Sequence, residues 1–361
     1  MSGGARVALI GAARHPIAEP FAGGLEAHVW ALARGLIDRG HAVTLFAGPG
    51  SDPALDVCVL DLRVPHISET ARGDVSMPPA EWLDEHHAYL DLMLRLADGT
   101  YGPFDVIHNH SLHHLPIAMA DALDTPMLCT LHTPPTPWLE SAIQAREGCP
   151  VTFAAVSEHT AAAWSHLLPG VRVVPNGVAV DRWPAGPGGG PVVWFGRLVR
   201  EKGAHLAIDA AVRAGAAIDV AGPIFDAEYF AAEISPRLAL PGVRYLGHLT
   251  HERLQALLGG ATAAVVTPCW DEPYGLVVAE ALACGTPVCG FARGALPELL
   301  DAGCGRLVAG GDVDALAAAI ATAPTLSRRA ARCRAETTCS LAVMLDRYEQ
   351  LYDELAGRVP A

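Results

Sequence analysis

The sequence predicts an α/β protein built as two doubly wound domains with a cleft between them. Three observations carry that prediction. Short β-branched runs alternate with amphipathic stretches along nearly the whole chain, the pattern of βαβ units that feed parallel sheets. The alternation is interrupted by a Pro/Gly-rich segment at 184–191 and then resumes. Finally, 361 residues exceed the ~100–200 of an ordinary domain. The expected division is 1–180 for a first domain and 181–340 for a second. A closing helix, 341–361, is expected to cross back to the first.

The first series begins with a strand at Arg6–Ile10. A loop with Gly23 and Gly24 leads into a helix from about Leu25 to Arg39, which sets Val29, Leu32, Ala33 and Leu36 on one face. Gly40 ends it, suiting the left-handed position after a helix. Further strands are expected at Ala42–Phe46, Asp105–His108, Pro126–Leu131 and Thr152–Val156, with Ser157 capping the next helix. Residues 63–80 carry prolines and read as a long loop. PAGPGGGP (184–191) reads as a linker, since it can sustain neither helix nor central strand. The second series has strands at Val192–Phe195, Ile218–Ala221, Val243–Leu246 and Ala263–Thr267. Its helices are expected at Ala204–Arg213, Thr250–Leu258, Gly275–Cys284 and Val313–Ala321, and Leu341–Leu355 closes the chain.

Composition excludes several functional classes. Hydrophobic residues make up 51%, enough for two large cores, but the apolar runs are strand-length, well short of the ~18 residues of a membrane span. No integral membrane span is therefore expected. MSGGARVALIGAA reads as a first strand rather than a signal peptide. Nine cysteines without a Cys-x-x-Cys pair suit reduced thiols and a cytoplasmic protein. A net charge of −14 argues against nucleic-acid binding, which needs a basic face.

Two segments carry chemistry. In WFGRLVREKG (194–203) Arg197 emerges at the carboxyl edge of a strand, where open α/β sheets bind ligands. Lys202 precedes a helix start. A guanidinium, an ammonium and helix-end amides suit a diphosphate. Taken alone, the segment also fits a solvated basic loop. In WDEPYGLVVAEALACGTPV (270–288) Pro273 and Gly275 place the helix start, so Glu272 lies on the loop and Glu280 inside the helix. The amides of Gly275 and Leu276 suit a phosphate, while the two carboxylates suit hydroxyls of ribose and sugar. Asp312 and Asp314 form an Asp-x-Asp pair that reads as helix capping rather than as a metal site. His108, His110, His113 and His114 follow a strand; they read as a wall of the cleft, with no metal assigned. His86 and His87 read as helix-surface residues.

These segments fall in the order of a known family. Gly23, Gly24, Glu26 and His28 open the first helix; RGHAVTLF (39–46), DVIHNH (105–110), LHTPP (131–135) and AVSEHT (155–160) follow. VVPNGV (173–178), GRLVREKG (196–203) and the pair Glu272/Glu280 complete the set. The chain resembles the GT-B fold retaining glycosyltransferases of family four, and AGPIFDAEYF (221–230) resembles bacterial members that glycosylate small molecules. The resemblance implies two Rossmann-like domains with an interdomain cleft. It implies a hexosyltransferase whose donor is a nucleotide-diphosphate sugar, with a UDP-sugar expected, acting on the hydroxyl of a small-molecule or glycan acceptor. No cofactor is expected beyond the donor. Gly23 and Gly24 would offer amides to the diphosphate, and Arg197 and Lys202 would neutralise it. Gly275 and Leu276 would bind phosphate, and Glu280 the ribose. Glu272 would face the donor sugar and His132 its anomeric carbon. The nucleobase would lie near Pro223 and Leu246–His248, and Glu26 and His110 would meet the acceptor. The family implies same-face attack without a metal. A sugar-nucleotide epimerase of the same two-domain fold is the alternative. A nicotinamide oxidoreductase is disfavoured, because the first strand–helix turn lacks Gly-x-Gly-x-x-Gly.

Overall fold

A computed structural model describes residues 4–60, 67–76 and 79–357. They divide into two compact units. The first is drawn from Met1–Ala155, Ala161–Val173 and Leu345–Ala361, the second from Val156–Thr160 and Val174–Met344.

The first unit is built on a seven-stranded sheet: β1 (Arg6–Ile10), β2 (Ala42–Ala47), β3 (Val57–Val59), β4 (Val106–Asn109), β5 (Met127–Leu131), β6 (Thr152–Ala155) and β7 (Arg172–Val173). All neighbours are parallel, in the order β3-β2-β1-β4-β5-β6-β7. Strand order reverses between β1 and β4, and a ligand of a doubly wound sheet lies beyond the carboxyl ends at that reversal. The inner strands are buried on both faces and largely apolar, as a sheet covered by helices requires. Val7, Leu9, Ile10 and Phe46 are buried, with Tyr89 of the Ala80–Ala97 helix and Trp164 completing the core. The helix Leu341–Leu355 closes this unit through its later residues. Tyr352 bonds His108 Nδ1 at 2.7 Å, and Tyr348 bonds the Thr130 hydroxyl at 3.1 Å. Arg39 pairs with Asp346 at 2.7 Å and Glu349 at 2.5 Å.

The second unit is built on a six-stranded parallel sheet: β8 (Val192–Phe195), β9 (Ile218–Ala221), β10 (Val243–Tyr245), β11 (Ala264–Val266), β12 (Val288–Phe291) and β13 (Gly305–Val308). The order is β10-β9-β8-β11-β12-β13, with the reversal between β8 and β11. Helices Ala204–Arg213 and Leu276–Ala283 follow the two central strands. Their buried faces are rich in alanine, which lets helix and sheet approach closely.

Several local expectations change. β3, β7, β12 and β13 join the expected strands; the first two are edge strands of three and two residues, too short to show periodicity. Within the expected 63–80 loop, Ser68 caps a short helix, Glu69–Arg72, by accepting from the Ala71 amide at 3.2 Å. Residues 61–66 and 77–78 lie outside the described residues. The 184–191 segment is not a free tether. Arg328 donates to the Gly186 carbonyl at 3.1 Å, and a Cβ on Gly186 would meet Gly259 backbone at 2.3 Å, so the glycine is there to let two backbones touch. Asp312 caps its helix, accepting from Ala315 at 2.9 Å, and Asp314 pairs with Arg213. All nine cysteines are free thiols. Among the described residues no helix is long and apolar enough to cross a membrane.

Candidate functional site

The second unit gathers its chemistry at the reversal between β8 and β11. Gly196 follows β8 with φ 145°, and a Cβ on the neighbouring Gly222 would fall 1.8 Å from the Gly196 carbonyl oxygen. The loops after β8 and β9 thus touch backbone to backbone. The loop after β10 joins them: the Gly222 amide donates to the Gly247 carbonyl at 2.9 Å, and Tyr245 donates to the Gly222 carbonyl at 2.8 Å. Pro223 and Leu246–His248 therefore stand beside Gly196. Arg197 is partly exposed, its guanidinium 5.5 Å over the Phe225 ring. That ring is an exposed apolar residue and a cation–π partner.

Lys202 lies one residue before Gly203, which caps the Ala204–Arg213 helix at φ 67°; a Cβ there would meet the Thr267 carbonyl oxygen at 2.1 Å. This contact draws the loop after β11 against Lys202. Lys202 Nζ pairs with Glu272 Oε2 at 2.5 Å, and Trp270 Nε1 donates to the same oxygen at 3.2 Å. The ammonium also lies 5.2 Å over the Trp270 ring. Both charges are largely sheltered, with side chains 23% and 15% exposed, so the pair is stronger than a surface bridge. Glu272 is fixed from behind: its carbonyl accepts from Ala295 at 2.8 Å, and Gly294, at φ 57°, passes so close that a Cβ would sit 2.2 Å from the Glu272 oxygen.

Gly275 caps the Leu276–Ala283 helix at φ 94°, a left-handed conformation glycine adopts without strain. Pro273 before it is anchored by Ser157 and Thr160, whose hydroxyls donate to its carbonyl at 2.6 and 3.2 Å. The helix N-terminus so placed offers amides to an anion. Glu280 lies inside that helix, partly exposed yet enclosed by protein, and desolvation lifts its carboxyl to about 8. Among the described residues no hydrogen bond or ion pair reaches it.

The first unit presents a different set at its own reversal. His110 follows β4, its amide donating to the Ile10 carbonyl at 2.8 Å, and His132 follows β5. His110 Nδ1 and His132 Nε2 share a hydrogen at 2.8 Å. His28 packs against both rings at 5.2 and 5.0 Å. Both of its ring nitrogens, and His110 Nε2, are buried without a hydrogen-bond partner among the described residues. Burial drives His28 down to about 3; burial and the neighbouring imidazoles hold His110 and His132 well below the ordinary value. All three are neutral at pH 7. His108 lies in the sheet rather than on a wall, bonded to Tyr352 and to Thr130. Leu112, in the same loop, is held at φ 60°, a conformation costly for leucine and typical of functional loops. Gly23 is an extended N-cap and Gly24 begins the Gly24–Asp38 helix, with Glu26 buried in its first turn.

Sequence reasoning assigned no metal, but the geometry offers two places for one. His28, His110 and His132 bring one ring nitrogen each within 4.8 Å of one another, and so do His86, His113 and His114. In the first set the His110–His132 bond already uses one nitrogen of each ring. His86 is not a plain surface residue: it stacks on Trp82 at 5.0 Å and 13°.

The structure therefore brings Lys202 and Glu272 together, with Gly275 beside Glu272, in the second unit, and His110 and His132 together in the first. Arg197 stands on the loop after β8 against Phe225, Glu280 lies inside the helix that Gly275 caps, and Glu26 lies in the first turn of the Gly24–Asp38 helix. Sequence reasoning missed Trp270, Phe225, Gly222 and Gly294, and took His28 for motif rather than site. Trp270 is the first residue of the recognised segment 270–288 and could have been found. The glycines act through residues dozens of positions away.

Comparison with known proteins identifies the family of the fold. The model of Glycosyltransferase Family 4 matches residues 22–182, and that of Glycosyl transferases group 1 matches residues 188–338. The chain is 31% identical over 358 residues to a glycogen synthase of Mycobacterium tuberculosis, covering 86% of this chain and 85% of that one. It is 28% identical to a D-inositol 3-phosphate glycosyltransferase of Xylanimonas cellulosilytica, over 96% and 97% of the two chains. Among solved structures, sucrose-phosphate synthase of Thermosynechococcus elongatus superposes with a TM-score of 0.77 at 21% identity, over 98% of this chain and 100% of that one. A glycosyltransferase of avilamycin A biosynthesis gives 0.72 at 22%, over 98% and 99%. With two doubly wound sheets, a paired lysine and glutamate at the reversal of the second, and these relatives, the chain belongs to the family-four, group 1 glycosyltransferases of the GT-B fold.

Proposed function

We propose that the protein is a retaining, metal-independent hexosyltransferase using a nucleotide-diphosphate sugar, a UDP-sugar in the first instance, and working in the cytoplasm. The observation that carries this is the Lys202–Glu272 pair at 2.5 Å, beside the helix N-terminus that Gly275 caps. In the free protein the ammonium rests on its own carboxylate. An incoming diphosphate offers it more negative charge, and the exchange releases Glu272 to accept hydrogen bonds from donor-sugar hydroxyls. Glu280 accepts from the ribose. Gly23, Gly24 and His132 keep the roles the resemblance gives them, at the diphosphate and the donor sugar, with Glu26 and His110 toward the acceptor.

The bond from the anomeric carbon to the β-phosphate oxygen breaks with its electrons passing to the diphosphate. The acceptor oxygen bonds to that carbon from the same face, and its proton passes to the departing diphosphate. Negative charge grows on the leaving group, and Arg197 and Lys202 are the cations this reading assigns to it; preorganised stabilisation of that kind is usually the largest contribution to such catalysis. A neighbouring structure was solved with UDP-glucose, which supports starting from uridine donors. The other relatives bear names that differ in acceptor, so they support transfer and leave the acceptor to be read from this chain.

The test is a thermal-shift screen against UDP-, GDP-, ADP- and dTDP-sugars, because a donor that binds the folded state raises its apparent stability. Product NMR with the stabilising donor then reads the anomeric configuration, with and without a chelator. An inverted product, or activity abolished by chelation and restored by a divalent cation, overturns the reading.

A further inference from the structure

We propose that a cavity in the first unit, between the loop after β1 and the first turns of the Ala80–Ala97 helix, binds the acceptor, and that this acceptor carries an ammonium group on a polyhydroxylated frame, as an amino sugar does. The word acceptor rests on the transferase reading above; the chemistry of the cavity rests on its own lining.

The cavity has a volume of about 550 Å³, within the ~300–1,000 Å³ range of small-molecule sites. Ala13 and Arg14 form one side and Glu81, Trp82, Asp84 and Glu85 the other. It therefore opens where β1 ends, beside the strand-order reversal at which doubly wound sheets bind ligands. Three carboxylates face one guanidinium. Arg14 Nε is bonded to Glu85 Oε2 at 2.9 Å, which leaves Glu81 and Asp84 without a cation among the described residues. Asp84 Oδ1 is shielded from solvent and has no hydrogen-bond partner among them. A sheltered carboxylate oxygen left bare is costly unless a ligand donor completes it.

Two of the nearby histidines, His113 and His114, do not offset this charge. His86, His113 and His114 cluster behind Trp82, with ring separations of 5.8 and 5.7 Å from His86. Burial and the neighbouring imidazoles hold His113 at about 3 and push His114 down, so both are neutral. Trp82 stacks on His86, and the exposed Trp138 lies 6.0 Å away. Flat aromatic faces take the C–H side of a pyranose ring and attract a cation placed over them. Carboxylates beside them receive hydroxyl and ammonium protons. The same lining repels a phosphate or carboxylate on the acceptor, so it selects by repulsion as well as by attraction.

The experiment is equilibrium binding to the full chain, by ligand-observed NMR in slightly acidic buffer, with glucosamine, glucose and glucose 6-phosphate as probes. Glucosamine should bind roughly 5- to 10-fold more tightly than glucose, and glucose 6-phosphate least of all. The double variant E81Q/D84N should bring glucosamine down to the level of glucose. E81Q alone changes an exposed side chain, and should remove part of the preference without disturbing the fold. Equal binding of glucosamine and glucose, tightest binding of glucose 6-phosphate, or a preference that survives in E81Q/D84N overturns the proposal. UDP binding, followed on the same samples by thermal shift, separates the two conclusions. UDP bound without an amine preference removes the cavity proposal alone. An amine preference without any nucleotide binding leaves the cavity and removes its role in transfer.

Discussion

The two units share one architecture and answer the same positional problem with opposite electrostatics. At its strand-order reversal the second unit keeps charged groups: Arg197, Lys202 and Glu272, the last two paired at 2.5 Å. At its own reversal the first unit keeps His28, His110 and His132, driven neutral by burial. A charged site suits a ligand whose charge grows during reaction, since fixed countercharges need not reorganise. A neutral, imidazole-lined site suits hydroxyl groups, for which each ring offers one donor and one acceptor. The fold dictates where a ligand goes, and the side chains at the strand ends dictate what it is.

The largest effect should come from breaking the charged half. Lys202→Met should lower kcat/KM for transfer by roughly 10²- to 10³-fold, with far-UV circular dichroism unchanged. A loss below tenfold would place catalysis elsewhere. Next comes Gly203→Ala. It combines a left-handed backbone with a 2.1 Å clash against the Thr267 carbonyl, and should cost roughly 2–4 kcal/mol in chemical denaturation. An alanine tolerated there would mean the loops after β8 and β11 are not held together as described.

The neutral half should reveal itself through acid. Histidines whose folded pKa lies below the unfolded value are stabilising when deprotonated. The first unit therefore keeps its full stability above the ordinary value of 6.5 and loses it as pH falls below that. His28→Leu removes a buried ring with two unpartnered nitrogens, so it should shift the acid limb of the denaturation curve to lower pH, readable by the fluorescence of the buried Trp164. An unmoved acid limb would count against the neutral-histidine account.

Glu280 runs the other way and is the smallest effect. Its folded pKa is raised from 4.5 to about 8, so the folded state holds the extra proton, and stability present at low pH is lost as pH rises through that interval. If the carboxylate accepts from ribose, UDP affinity should rise with pH toward 8, by up to about tenfold. Glu280→Gln should flatten the calorimetric profile. A slope that persists in the variant assigns the titration to another group.

Much of this was legible in the sequence, and for identifiable reasons. Arg197, Lys202, Glu272 and Gly275 are placed by what flanks them: a strand end, a helix start, a proline that cannot enter the helix. Such signals are local, and the helices they predict are present within a residue or two. Gly222, Gly294 and the packed 184–191 segment were not legible, because each depends on a backbone remote in sequence, and a glycine looks the same in a linker as in a close contact. The acidic cavity was hidden for a related reason. Glu81, Asp84 and Glu85 read as an ordinary solvated helix face until Arg14 and Trp82 are seen beside them.

The closing helix has a consequence for synthesis. His108 and Thr130 lie in the middle of the first sheet, yet their partners are Tyr352 and Tyr348, more than two hundred residues later in the chain. While the chain is being made, those buried polar groups stay incomplete until the last helix leaves the ribosome. The second unit, whose Val174–Met344 body emerges earlier, can finish first. The strands of the first sheet are thus completed after the second unit that follows them, and while that unit is made the nascent protein carries a nearly finished first sheet that still lacks its final clasp.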